Sequence, residues 1–251
     1  MPKIPFPLKK VTRAVATAQL AILEASYPDA VTALRYRNPF ELLIAVILSA
    51  QCTDARVNAT TPALFAKYPT AETLSRAKQS DVEKIVKSCG FFRMKSRNII
   101  NAAWDLVAKH DARVPSHREQ LEALAGVGRK TASVVMSVVF EEAALAVDTH
   151  VFRVSHRLGL ALGKTPREVE SELTQLVPKE KWRHAHHWLI LHGREICKAP
   201  TPTCGRCPAR AKCPTPPIVA KLTSEKAGAL RSAAGRGNPS AAAAGAPRPR
   251  R

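Results

Sequence analysis

Four of the chain's six cysteines fall between residues 197 and 213, in CKAPTPTCGRCPARAKC, spaced C-x6-C-x2-C-x5-C. A stretch interrupted this often by proline can form neither a long helix nor a regular strand ladder. Its shape must come from whatever joins the thiols. Disulfides fit poorly, because the first thirty residues show no compact apolar core with a cleavage site and so no sign of secretion. Zinc sites usually pair two C-x2-C units or combine Cys with His, and only one C-x2-C is present. Four thiolates at short, uneven spacing suit a cubane iron–sulfur cluster, with zinc as the alternative. Cys52 and Cys89 lie outside this pattern and read as small buried groups.

Charge constrains the partner. Lys and Arg number 39 against 20 Asp and Glu, a formal net charge of +19 in 251 residues. Such an excess calls for a polyanion, most simply nucleic acid. An anionic membrane surface is the other candidate; no apolar run approaches the ~18–20 residues needed to span a bilayer, and the reading adopted has nucleic acid and no membrane as partner. From Thr215 onward the chain is rich in Ala, Gly, Pro and Arg and poor in large apolar groups. This composition predicts a disordered basic tail over 215–251. The tail carries seven basic residues and one acid, leaving +13 on residues 1–214.

The folded part reads as all-α, with roughly ten helices of ordinary length. A cationic lead precedes an amphipathic first helix. Ser80–Glu83, Ser116–Glu119 and Thr165–Glu168 each have capping-box spacing, the last with Pro166 at the first helical position. Phe40–Leu48 is apolar almost all round and is expected to be a buried central helix. No alternating run with hairpin turns is found.

The stretch LEALAGVGRKTASVV, Leu121–Val135, places Gly126-Val127-Gly128 between two helical segments. The glycines permit a tight turn and close approach of another backbone. The outward N–H groups of the turn and of the next helix suit a phosphate. Such a site positions DNA without reading its sequence.

These residues resemble the helix–hairpin–helix of the endonuclease III family of DNA glycosylases. LSAQCTD (Leu48–Asp54), AVDTHVFRV (Ala146–Val154), HHWLILHGREIC (His186–Cys197) and the cysteine spacing are similar too, so the likeness runs in order over about residues 20–214. Ala125 stands where the family usually has Pro.

The resemblance implies a two-domain helix–hairpin–helix glycosylase fold. Residues 1–31 plus 143–214 would form an iron–sulfur cluster domain, and 32–142 a six-helix domain bearing the hairpin. Lys130 is then the nucleophile that attacks C1′ as a Schiff-base amine, and Asp148 the carboxylate that stabilises the oxocarbenium-like state. Cys197, Cys204, Cys207 and Cys213 would hold a [4Fe–4S] cluster. Gln51 would fill the hole left by the flipped base and Phe91 would wedge the opposite strand, where the family often has Leu. Lys95, Gly126, Val127, Gly128, Arg129, Lys198, Arg206, Arg210 and Lys212 complete the expected DNA contacts, with Arg97 near enough to join them.

Lys130 separates branches of the family, since the adenine-mismatch branch lacks lysine there. The implied activity is a bifunctional glycosylase and abasic-site lyase acting on oxidised pyrimidines in duplex DNA. A monomer in the bacterial-type cytoplasm, associated with the nucleoid, is expected. A monofunctional mismatch glycosylase and a non-catalytic iron–sulfur DNA-binding protein are the alternatives; neither requires Lys130 and Asp148 together. The histidines at 184, 186, 187 and 192 read as parts of a packed helix rather than metal ligands.

Overall fold

The computed structural model describes residues 9–219, and no strand occurs among them. Among them, eleven α-helices run between Arg13 and Glu195, and a further helical stretch occupies 215–219. Helix α2, Pro39–Leu48, explains the arrangement of the first half. Asn38 caps it by accepting from the Glu41 N–H, Pro39 occupies its first turn, and Phe40 through Leu48 are all buried. Glu41 is the one charge carried inward, and the neighbouring Arg37 guanidinium meets it at 2.6 and 2.9 Å. An apolar cylinder of this kind is stable only if other helices cover every side.

Those helices are α3 (Asp54–Lys67), α4 (Ala71–Ser75), α5 (Gln79–Val86), α6 (Phe92–Lys109), α7 (Arg118–Glu122) and α8 (Arg129–Val139). Their buried side chains, from Val57 and Leu64 to Ile99, Leu106, Leu121 and Val135, join α2 in one core. A second core gathers α1 (Arg13–Ser26), α9 (Thr149–Leu158), α10 (Pro166–Leu176) and α11 (Trp182–Glu195), through Leu20, Leu23, Val151, Leu158, Leu173 and Leu189. Cys197 belongs to this second core, with Cys207 and Cys213 packed against it.

The helix starts only partly follow the sequence signals. Thr165 caps α10 as expected, accepting from the Glu168 N–H at 3.2 Å, and Pro166 opens the helix. Glu168 bonds the Lys164 N–H instead of closing the box. The other two expected boxes do not form. α5 starts at Gln79 behind Lys78, and α7 starts at Arg118 behind His117, neither with a side-chain cap. In α5 the Gln79 side chain donates to Glu83 at 2.7 Å, so the acid is engaged within the helix. A reciprocal box occurs instead at Thr70 and Thr73.

The expected tail boundary is also corrected. Residues 215–219 are helical, and Thr215 is buried with its hydroxyl donating to the Arg157 carbonyl at 2.5 Å. The remainder of the expected tail, 220–251, lies outside the described residues.

Leu43 is completely buried in α2. Leu43→Ala should destabilise the fold by about 2–5 kcal/mol through lost burial and a residual cavity. Thr165→Ala should remove only a cap, about 1 kcal/mol. Urea denaturation of both variants checks the ordering.

Candidate active site and cysteine loop

The turn between α7 and α8 is built as the glycine spacing suggests. Gly126 has φ +77°, and a Cβ there would lie 2.8 Å from the Asn98 side chain, so the turn presses against α6. Val127 is buried and anchors the turn in the core. Gly128 is the N-cap of α8, supplies no capping side chain, and has open space where a Cβ would be. The first turn of α8 therefore presents backbone N–H groups toward an uncrowded surface, which is the requirement for binding an anion.

Lys130 lies in that first turn and is exposed. Asp148 caps the next long helix, α9. Its Oδ1 accepts from the N–H groups of His150 and Val151, both at 2.8 Å. Two helix N-termini from the two halves thus deliver an amine and a carboxylate to one cleft, whose walls include Ser49, Asp54, Lys130, Asp148, His186 and Arg194.

His186 is fixed at the back of this cleft. Its Nδ1 lies 2.7 Å from the Ala146 carbonyl, which can only accept, so Nδ1 carries the hydrogen. Burial, then the neighbouring His187, pushes its pKa down to about 3. The other ring on the inner face, His187, bonds the Arg183 carbonyl, and His192 meets the Tyr27 hydroxyl at 3.2 Å. His184 stacks on Trp188. The group behaves as hydrogen-bonded packing along α11.

The two expected insertion residues stand at loop tips with unusual backbones. Gln51, exposed just after α2, has φ +52°; Phe91, 60 % exposed before α6, has φ +45°. Non-glycine residues in this region cost roughly 1–3 kcal/mol each, a cost that clusters at functional sites. Phe92, by contrast, packs against the core.

One expected DNA contact, Lys95, is corrected, and a second, Arg129, is engaged in an ion pair. Lys95 is buried, 2 % exposed, and its ammonium donates to the Cys89 carbonyl at 2.7 Å, so it does not reach a phosphate. Arg129 sends its guanidinium to Glu170 on α10, at 2.8 and 2.9 Å, and so joins the two halves while remaining exposed. A second bridge, Arg194 to Asp54 at 2.8 Å, holds α11 to the start of α3 beside the Gln51 tip.

Cys197, Cys204, Cys207 and Cys213 line one cavity with Arg157, His192 and Thr215. All are free thiols. Among the described residues no three or more His, Cys, Asp or Glu are gathered as a single metal ion requires. Burial raises the thiols at 204, 207 and 213, the last to about 11. The loop is held by side chains that sequence reading did not single out. Arg157, buried on α9, donates to the carbonyls of Lys198 at 2.7 Å and Ala199 at 2.8 Å. Arg153 donates to those of Gly193 and Cys197. Gln19 on α1 donates to those of Leu158 and Lys212. The available signal was a pair of arginines at i, i+4 in an apolar helix, a spacing that puts both on one face. Lys198, Arg206, Arg210 and Lys212 are all exposed around this loop.

With this geometry in place, the chain can be set beside known proteins. Residues 44–179 match the family described as the HhH-GPD superfamily base excision DNA repair protein, which defines the class. Endonuclease III of Rickettsia conorii is 48 % identical over 192 residues, 76 % of this chain and 91 % of that protein. Endonuclease III of Escherichia coli K12 is 46 % identical over 191 residues, 75 % and 89 % of the two chains. The structure of a trapped endonuclease III–DNA covalent intermediate superposes with a TM-score of 0.79 at 45 % identity, covering 82 % of this chain and 97 % of that one. A thermostable thymine-DNA glycosylase shares the fold at 23 % identity, TM-score 0.74. The chain belongs to the endonuclease III family, and it is a DNA glycosylase with abasic-site lyase activity.

The buried neutral state of His186 has a consequence for acid stability. Its folded pKa lies below the unfolded value near 6.5, so the unfolded chain binds the extra proton. This contribution should be intact above pH 6.5 and decline as pH falls toward 3. In NMR the His186 ring should show no titration between pH 8 and 5; a midpoint near 6.5 would contradict the assignment.

Proposed function

We propose that Lys130 is the Schiff-base nucleophile and Asp148 the carboxylate that supports it, acting on oxidised pyrimidines and abasic sites in duplex DNA. The observation that carries this reading is the convergence of the two side chains, from separate helix N-termini, on one cleft. The similar solved endonuclease III is a trapped covalent intermediate with DNA, and a covalent bond to DNA is what an attacking amine forms.

The roles follow from the bonds. As the bond from C1′ to the base breaks, positive charge develops on the sugar, and an ionised Asp148 stabilises it. The base leaves with the bonding pair and takes up a proton. The neutral amine of Lys130 bonds to C1′, and opening of the sugar ring gives a protonated imine. Loss of a C2′ proton then expels the 3′ phosphate by β-elimination. Asp148 is tied by Oδ1 to the start of α9, so its position is set by helix geometry and not by side-chain freedom.

Gly126, Val127, Gly128 and the first N–H groups of α8 hold the DNA backbone beside this site. Gln51 and Phe91 enter the duplex from their two tips. Unstacking a base costs a few kcal/mol, and filling the vacated space offsets part of it. Lys198, Arg206, Arg210 and Lys212 provide phosphate contacts near the cysteine loop.

The four cysteines fit a [4Fe–4S] cluster. They are free, they face one cavity, and burial disfavours the thiolates at 204, 207 and 213 without a bound cation. When bound, the cluster supplies a four-point anchor for a segment with little core of its own. Arg153, Arg157 and Gln19 would orient that segment through its carbonyls.

Borohydride trapping tests the nucleophile. Wild type should form a covalent adduct with a duplex containing one thymine glycol, and Lys130→Gln should not. An adduct with both would assign the amine elsewhere. The purified protein should contain iron and acid-labile sulfide in a one-to-one ratio, both lost in Cys204→Ser. Zinc without sulfide would overturn the cluster reading.

A further inference from the structure

Lys95 is a large side chain that is almost completely buried, and it is outside the catalytic cleft. No carboxylate pairs with it among the described residues; its neighbours are the Cys52 and Cys89 thiols. Burying an ammonium without a counter-charge costs several kcal/mol unless strong hydrogen bonds offset it. Here the ammonium donates to the Cys89 carbonyl at 2.7 Å, a charge-assisted bond.

The placement of that bond is informative. Cys89 ends a single 3-10 turn, Lys87–Cys89; Gly90 follows at φ +67°, then Phe91 at φ +45°. The backbone N–H of Lys95 donates to the Phe91 carbonyl at 3.0 Å. One residue therefore bonds both ends of the three-residue tip, Cys89 through its side chain and Phe91 through its backbone. The Cys89 thiol also contacts the Thr60 hydroxyl on α3, at 3.6 Å. A Cβ on Gly90 would meet nothing within 4 Å, so the tip stands clear of the protein. Left-handed backbone at a bulky residue persists only when its surroundings enforce it.

We propose that Lys95 is a positioning residue that holds Phe91 as a preformed wedge by tying the carbonyl of Cys89 to the first turn of α6. This rests on the reading of Phe91 as the wedge. A neutral side chain of the same length would fill the space and leave the tip free to relax. The wedge would then have to be ordered at the moment of base flipping, and flipping would slow.

The test compares Lys95→Met, Phe91→Ala and the double variant in single-turnover reactions. Base release from a thymine-glycol duplex requires flipping a stacked base; β-elimination at a preformed abasic site does not require removing one. Lys95→Met should slow base release by about tenfold, the scale set by a few kcal/mol of unstacking. Cleavage of the abasic site should stay within about twofold, and the double variant should be no slower than Phe91→Ala, since dependent residues do not add. Equal slowing on both substrates, multiplied losses in the double variant, or wild-type base release by Lys95→Met would each overturn the proposal.

If Lys95→Met does not fold, Lys95→Leu, which also removes the donor to the Cys89 carbonyl, takes its place in the same comparison, with melting temperature recorded. Normal base release by Phe91→Ala would remove the wedge reading itself. A slow Phe91→Ala beside an unchanged Lys95→Met would overturn this inference alone.

Discussion

Burial of α2 on every side is the constraint from which the rest of the first half follows. Its residues Phe40–Leu48 leave no face for water, so α3, α6 and α8 must pack around it. That requirement fixes α8, and with it the height at which Lys130 emerges. It fixes α6, which carries Phe91 and Lys95 at its start. The chain leaving the far end of α2 is already at the surface when it reaches Gln51. An apolar helix thus sets the separation between Lys130, the proposed nucleophile, and the Gln51 and Phe91 tips.

The second half is registered against this frame by polar contacts. Arg129 with Glu170, Arg194 with Asp54 and Arg183 with Glu141 cross between the two cores. Exposed pairs of this kind contribute about 0–1 kcal/mol each, so they set orientation more than stability. Orientation is what the cleft requires, because Lys130 and Asp148 come from different cores. The bidentate Arg129–Glu170 pair sits one residue from Lys130, where a small rotation between the halves would have the largest effect on the amine.

Much of this was legible in the sequence for physical reasons. The all-round apolar run could only be a buried helix, and Gly126-Val-Gly128 could only be a tight turn. Asp148 before an apolar helical run marked an N-cap, and Thr165-Pro166 marked another. The failures share a cause. Ser80 and Ser116 had the spacing of capping boxes, but spacing does not reveal how the preceding chain enters the helix, and both helices start at other residues. Lys95 was read from charge as a phosphate contact. Charge says nothing about burial, and a lysine three residues into an amphipathic helix can point inward when a carbonyl awaits it. Arg153 and Arg157 were missed for the same reason, since their partners are carbonyls some 40 residues away.

Of the five left-handed non-glycine residues among the described ones, Gln51 and Phe91 form the two tips proposed to enter DNA, with the buried Lys95 ammonium beside Phe91; Asp111, Ala112 and Glu141 lie between helices elsewhere. Lys130 and Asp148, the proposed catalytic pair, rest on inexpensive elements: a glycine turn, an ordinary N-cap and two regular helices. This difference matches the work each part has to do. Breaking the bond to the base needs charges held at fixed positions, which helix ends provide without strain. Opening a stacked duplex needs rigid, exposed side chains that water and entropy both disfavour, and such groups stand ready only where the fold carries a local cost. Lys95 belongs to that cost, and under the proposed positioning role its bond to the Cys89 carbonyl links the core to the tip.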